Sequence, residues 1–96
     1  MSPEGRISPA DLGLYSDADE AALARVLGAI RAHSPMPVAV QLSHAGRKAS
    51  SRAPWDGGTQ IRPDEPQGWP TEAPSAIPHA PDETAPQALD LSLIHI

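Results

Sequence analysis

Between Ser16 and Ser34 the apolar residues Leu23, Val26, Leu27 and Ile30 recur at i, i+3, i+4 and i+7, the repeat of one helical face. Arg25 and Arg31 fall on other faces. Ser16 is placed to cap the helix start, with Asp19 three residues on as its capping-box partner. Asp17, Asp19 and Glu20 also suit the positive end of the helix dipole. Ser34-Pro35 closes the pattern, because the residue before proline avoids helical backbone. The spacing therefore predicts a helix over 17–33.

The pattern then changes. Pro37 introduces a short apolar run, Val38-Ala39-Val40, which reads as a buried strand over 38–42. Helix, short loop and buried strand make half of a β-α-β unit, so the class is α/β. Residues 1–15 are turn-rich, with Pro3, Gly5, Pro9 and Gly13. From residue 51 onward neither period survives. Eight of the 12 prolines lie between Pro54 and Pro86, among Gly, Asp, Glu, Ser and Thr. That composition predicts a long loop with little regular structure, disordered if nothing packs against it.

Composition narrows the picture. Ninety-six residues make at most one small domain. Aromatic content is 3% and phenylalanine is absent, so the means to build a core are thin. No disulfide compensates, since cysteine is absent, and that absence fits a cytoplasmic protein. A net charge of −5 disfavours a nucleic-acid partner, which wants clustered Lys and Arg. The apolar runs fall well short of the roughly 18 residues of a membrane span, and no signal peptide is visible at the N-terminus.

Candidate chemistry concentrates where the expected strand ends. Gln41, Ser43, His44, Arg47 and Lys48 follow the apolar run directly, and in α/β proteins ligands gather at the carboxyl ends of strands. Taken alone, Gln41 is better explained as a cap on strand-end backbone groups. His44, beside a glycine-containing turn, reads as structural. Arg47 and Lys48 could hold an anion, a loop carboxylate or a neighbouring subunit, or be solvated. Gly46 is expected to relieve backbone crowding, and Arg6 to pair with an acidic residue such as Asp11. Trp55 and Trp69 are expected to pin the long loop rather than to bind a ligand. The four histidines are scattered and thiols are absent, so no metal site is indicated. No phosphate-binding glycine loop and no nucleophile elbow appears. Pro63-Asp64-Glu65-Pro66 and Pro78-His79-Ala80-Pro81 have PxxP spacing, which leaves a Pro-rich interaction segment without catalysis as an alternative.

The run Gln41-Leu42-Ser43-His44-Ala45-Gly46-Arg47-Lys48-Ala49 resembles the third-strand segment of the Old Yellow Enzyme family of FMN-dependent oxidoreductases, in its thermophilic-like branch of ene-reductases. Pro3-Glu4-Gly5-Arg6-Ile7-Ser8 and Asp11-Leu12-Gly13-Leu14-Tyr15 resemble the segment after strand two. Trp55, Gly57-Gly58, Gly68-Trp69 and Ala73-Pro74-Ser75-Ala76-Ile77-Pro78 resemble the long loop after strand three. The resemblance implies a fragment of a (β/α)8 TIM barrel: one helix, strand three and its following loop. A barrel of that kind takes about 250 residues, so 96 cannot close one. It further implies reduction of activated C=C bonds in unsaturated carbonyl compounds, with FMN as cofactor and NAD(P)H as reductant. It gives Gln41 the role of contacting the flavin ring, where a primary amide matches the N–H donor and carbonyl acceptors of the pyrimidine edge. With that motif around it, the flavin reading of Gln41 leads. His44 is not one of the family's substrate-binding histidines. The phosphate-holding, carbonyl-binding and proton-donating residues have no counterpart in the chain. A dienoyl-CoA reductase-like flavoenzyme is the related alternative, and Lys48-Ala49 favours the ene-reductase branch. The oligomeric state of a full-length protein stays open.

Residues 1–90 are thus expected to form a partial oxidoreductase barrel. Leu91-Ser92-Leu93-Ile94-His95-Ile96 departs from the family and resembles translated sequencing-adapter DNA. Residues 91–96 are therefore expected to be a non-native end, where the family would begin a polar helix.

Overall fold

The structure, a computed structural model, describes residues 2–94, with Leu93 and Ile94 described in backbone only. Its one long element is helix α1, Asp17–Arg31. Ser16, in extended backbone, caps it by accepting the Asp19 N–H at 3.1 Å. The return half of the expected capping box is displaced by one residue. The Asp19 carboxylate accepts from the Tyr15 N–H at 3.2 Å, outside the helix, so the approaching chain is tied down as well as the first turn. The helix ends two residues earlier than expected. Ala32 keeps helical backbone, and the His33 and Ser34 N–H groups both turn back to the Ile30 carbonyl at 3.0 and 2.9 Å. No residue of α1 is buried.

The expected strand over 38–42 does not form. A strand is defined by a hydrogen-bonded neighbour, and among the described residues nothing pairs with this segment. It runs unladdered from residue 37 to residue 43 instead. Its side chains line a groove shared with Leu23, Leu27 and Arg31 of α1 and with the N-terminal segment. Arg31 reinforces that approach by donating from Nη1 to the Met36 carbonyl.

The two strands that do form lie in the long loop. β1, Glu72–Ala73, pairs in parallel with β2, Gln87–Ala88, with Glu72 opposite Gln87 and Ala73 opposite Ala88. The Gln87 N–H donates to the Thr71 carbonyl at 2.8 Å and the Leu89 N–H to Ala73 at 2.9 Å. An isolated antiparallel bridge joins Ser51 and Gln60. A final helical turn, α2, spans Leu91–Ile94, with the Asp90 carboxylate accepting the Ser92 N–H at 2.9 Å. His95 and Ile96 lie outside the described residues, so the expectation for 91–96 falls partly beyond them.

Among the described residues, those that are buried lie mostly between Ala49 and Pro86, with Ser8 of the N-terminal segment buried as well, and none lies in α1. Ala49, Ala53, Ile61 and Ala73 are the buried apolar residues, with Ser50, Thr71 and Pro86 beside them. Small side chains let the loop fold closely upon itself. At Gly68 an added Cβ would meet the Arg62 carbonyl oxygen at 2.0 Å, so only glycine allows that crossing. The loop is irregular, as its composition predicts, yet it follows a definite path. Gln60 reads the backbone of Thr84 as a strand would, donating from Nε2 to its carbonyl at 3.1 Å and accepting its N–H at 2.7 Å. Arg52 joins the two limbs through Glu65 at 2.8 Å and the Gln60 carbonyl at 2.8 Å.

Candidate functional site

The turn at 44–48 is built around Gly46. Its φ of +59° is the left-handed region, and the Ala49 N–H then closes back on its carbonyl at 3.0 Å. Backbone conformation, not the crowding expected from the sequence, is what requires glycine here. An added Cβ would meet nothing nearer than the Glu72 carbonyl at 3.9 Å. His44 Nδ1 accepts the Gly46 N–H at 3.0 Å, which gives the ring a structural task as expected. Arg47 reaches across 28 positions to donate to Ser75 Oγ at 3.2 Å, so it binds the loop through a hydroxyl. Lys48 is exposed.

The N-terminal segment is laid against this turn. Gly5 accepts from Ala45 at 2.9 Å, Ile7 accepts from Ser51 at 2.7 Å, and Glu4 accepts from Trp69 Nε1 at 3.1 Å. The expected Arg6–Asp11 pair does not form. The Asp11 carboxylate is taken by the Ile7 N–H at 2.7 Å and by Ser8 Oγ at 2.8 Å. Arg6 donates to the Pro3 carbonyl at 2.8 Å, and its guanidinium lies 4.5 Å from the Trp69 ring centroid and 5.9 Å from that of Tyr15. Hydrogen bonds from its own backbone and from Ser2 hold the Glu4 carboxyl below the usual glutamate range, with His44 and Arg6 adding a smaller electrostatic pull and burial opposing. Trp69 thus pins the loop as expected, whereas the Trp55 side chain is 79% exposed and makes no hydrogen bond among the described residues.

Gln41 stands on the wall of the groove between α1, residues 38–43 and the N-terminal segment. The groove holds about 600 Å³, with Leu12, Leu14, Leu23, Leu27, Val38 and Val40 as its apolar lining and Arg6, Asp11 and Arg31 among its polar groups. The Gln41 side chain is exposed and makes no hydrogen bond among the described residues. Its amide therefore keeps one acceptor and two donors for a ligand, the set a flavin pyrimidine edge would use. The fit extends to that one amide. His44 faces a separate shallow hollow with Leu42, Ser43 and Ser2, and Arg47 and Lys48 are not drawn to the groove.

Sequence reasoning missed Ser50. It is wholly buried in the left-handed region, φ 55°, donating to the Ile61 carbonyl at 2.8 Å and accepting the Trp69 N–H at 3.1 Å. Partners 11 and 19 positions away leave no local signal.

No family model matches the chain. Curated relatives do. An NADH:flavin oxidoreductase of Gibberella zeae is 43% identical over 75 residues, which cover 76% of this chain and 18% of that protein. An NADPH dehydrogenase of Halalkalibacterium halodurans is 46% identical over 54 residues, 56% of this chain and 16% of the relative. One from Bacillus licheniformis is 39% identical over 72 residues, 75% and 21% respectively. The chain spans about a fifth of these relatives' length. Their names are those of the Old Yellow Enzyme family, and the resemblance read from the sequence holds over that stretch.

Proposed function

We propose that the chain is a flavin-contacting segment of an FMN-dependent NAD(P)H oxidoreductase of the ene-reductase type, a cytoplasmic enzyme acting on unsaturated carbonyl compounds. The observation that carries this reading is the 39–46% identity to proteins named for flavin and for nicotinamide oxidation. The free Gln41 amide on the groove supports it. A bound flavin would supply the redox chemistry. This chain's part is to offer hydrogen-bonding groups to one ring edge and to hold them in place, the binding and orienting role of protein in a cofactor enzyme. Gln41 would do the former. The turn at 44–48, held to Gly5 and Ser75, would do the latter by anchoring the segment just beyond it.

The Pro-rich interaction alternative finds no support at its first PxxP. Residues 63–66 are bent by the Glu65 N–H donating to the Arg62 carbonyl at 2.9 Å, and the Glu65 carboxylate is engaged by Arg52. A polyproline helix has no internal hydrogen bonds.

The test is a chimera. Residues 2–90 replace the matching stretch of the Bacillus licheniformis NADPH dehydrogenase. The expected product retains FMN through gel filtration and oxidises NADPH with a cyclic enone as acceptor. A soluble, folded chimera that holds no flavin would overturn the proposal.

A further inference from the structure

We infer that His44 is a positioning residue for Gln41, and that it acts through its Nδ1 atom on the Gly46 N–H. This role rests on the flavin reading of Gln41 and names the atom that holds the amide in its place.

A backbone N–H can only donate, so the ring nitrogen 3.0 Å from the Gly46 N–H must turn its lone pair there. The neutral ring then keeps its proton on Nε2. His44 and Gly46 are two positions apart, the spacing at which an Asn or Asp side chain closes an Asx turn on the backbone. Nδ1 does with an imidazole what Asn Oδ1 does with an amide. The ring is seated on its other side as well. It lies against Gly5, where an added Cβ would meet Cδ2 at 2.8 Å and Cγ at 3.2 Å. The Gly5 carbonyl accepts the Ala45 N–H at 2.9 Å. The N–H groups of residues 45 and 46 are thus both taken, one by the N-terminal segment and one by the ring.

Gly46 depends on that hold. Its φ of +59° suits glycine, and glycine is also the residue freest to leave such a conformation. Arg47 follows directly and reaches Ser75. With the Gly46 N–H released, the chain can pivot there, and the arm carrying Gln41 loses its fixed relation to the arm carrying Arg47. Gln41 stands three residues before the ring and lines the same groove as Gly5 and Arg6, the segment on which the ring is seated. A ligand-contacting group must be held within about 0.5 Å of its productive place. The ring and its Nδ1 bond are the link that fixes the amide against that segment.

Two substitutions in the chimera separate the atom from the ring. His44→Asn keeps an acceptor at the position of Nδ1. His44→Gln moves the amide one bond further out, to the position of Nε2. Both discard the ring, so a role in packing alone would make them equal. His44→Asn should hold FMN within about twofold of the parent chimera, and His44→Gln should weaken it about three- to tenfold, the worth of one hydrogen bond. Deuterium exchange of the peptide 42–48 in the flavin-free chimera reads the turn itself. His44→Asn should exchange like the parent, and His44→Gln faster at the Gly46 amide. Equal exchange in the two variants, or equal FMN affinity in the two, would overturn the role of His44 alone. A parent chimera that is folded but holds no flavin would overturn the flavin reading, and this role with it.

Discussion

Ser50 shows how much of this loop hangs on one side chain. It occupies left-handed backbone without being glycine, and its hydroxyl joins the carbonyl of Ile61 to the N–H of Trp69. Removing the hydroxyl leaves the buried Ile61 carbonyl and the half-buried Trp69 N–H unmatched, and a buried group left so costs about 1–3 kcal/mol. Ser50→Ala should therefore loosen Trp69. In a Trp55→Phe background the Trp69 emission should shift to the red, and an unshifted spectrum would show that the bridge contributes nothing. Gln41 carries a prediction of the same kind for the ligand. In the chimera, Gln41→Leu keeps similar bulk but leaves the flavin edge unmet. FMN affinity should fall roughly tenfold to a hundredfold, the equivalent of 1–3 kcal/mol. Flavin titration checks it, and unchanged affinity would contradict the assignment. Both residues lay within the polar run that the sequence singled out or just past it. Gln41 could be singled out as a candidate because its neighbours form a motif. Ser50 could not, because its partners are distant in sequence.

At the scale of elements, α1 is the piece whose start is written locally. Ser16 caps it, Asp19 secures the residue before the cap, and no face of it is buried. A helix of this length without tertiary packing is marginal in water, so capping should decide its population. Ser16→Ala is expected to cost about 1 kcal/mol of helix stability. The loss should appear as a clear fall in the circular dichroism signal at 222 nm, whereas Ser16→Asp should retain it. The strand over 38–42 is the opposite case. Its apolar alternation is real, but a strand needs a neighbour, and the chain pairs Glu72–Ala73 with Gln87–Ala88 instead. Those two short strands carried no periodic signal, since two residues are too few to show one.

For the whole molecule, the radius of gyration is 16.0 Å, against the ~12–13 Å of a compact domain of this length. The groove is open, its walls are largely exposed, and the buried apolar residues are three alanines and one isoleucine. One matched amide cannot offset the entropy of ordering a flavin against such a surface. The 96-residue chain alone is therefore expected not to bind FMN tightly and not to reduce an enone. Saturable quenching of flavin fluorescence at low micromolar concentration would contradict this.

The sequence by itself determined what short-range chemistry controls. The helix and its cap follow from spacing and from Ser16. The polar turn after residue 40 and the irregular, proline-paced loop follow from composition. The family resemblance follows from runs of adjacent residues. Tertiary structure alone decided which distant groups meet. It set Arg6 against Trp69 rather than Asp11, sent Arg47 to Ser75, placed Ser50 between Ile61 and Trp69, and moved the buried core from the helix into the loop. The physical reason is that a helix closes its hydrogen bonds within four residues, so its pattern is local. A ladder, a cation over a ring or a buried hydroxyl is satisfied by whatever the folded path brings near, and no neighbouring residue records that choice.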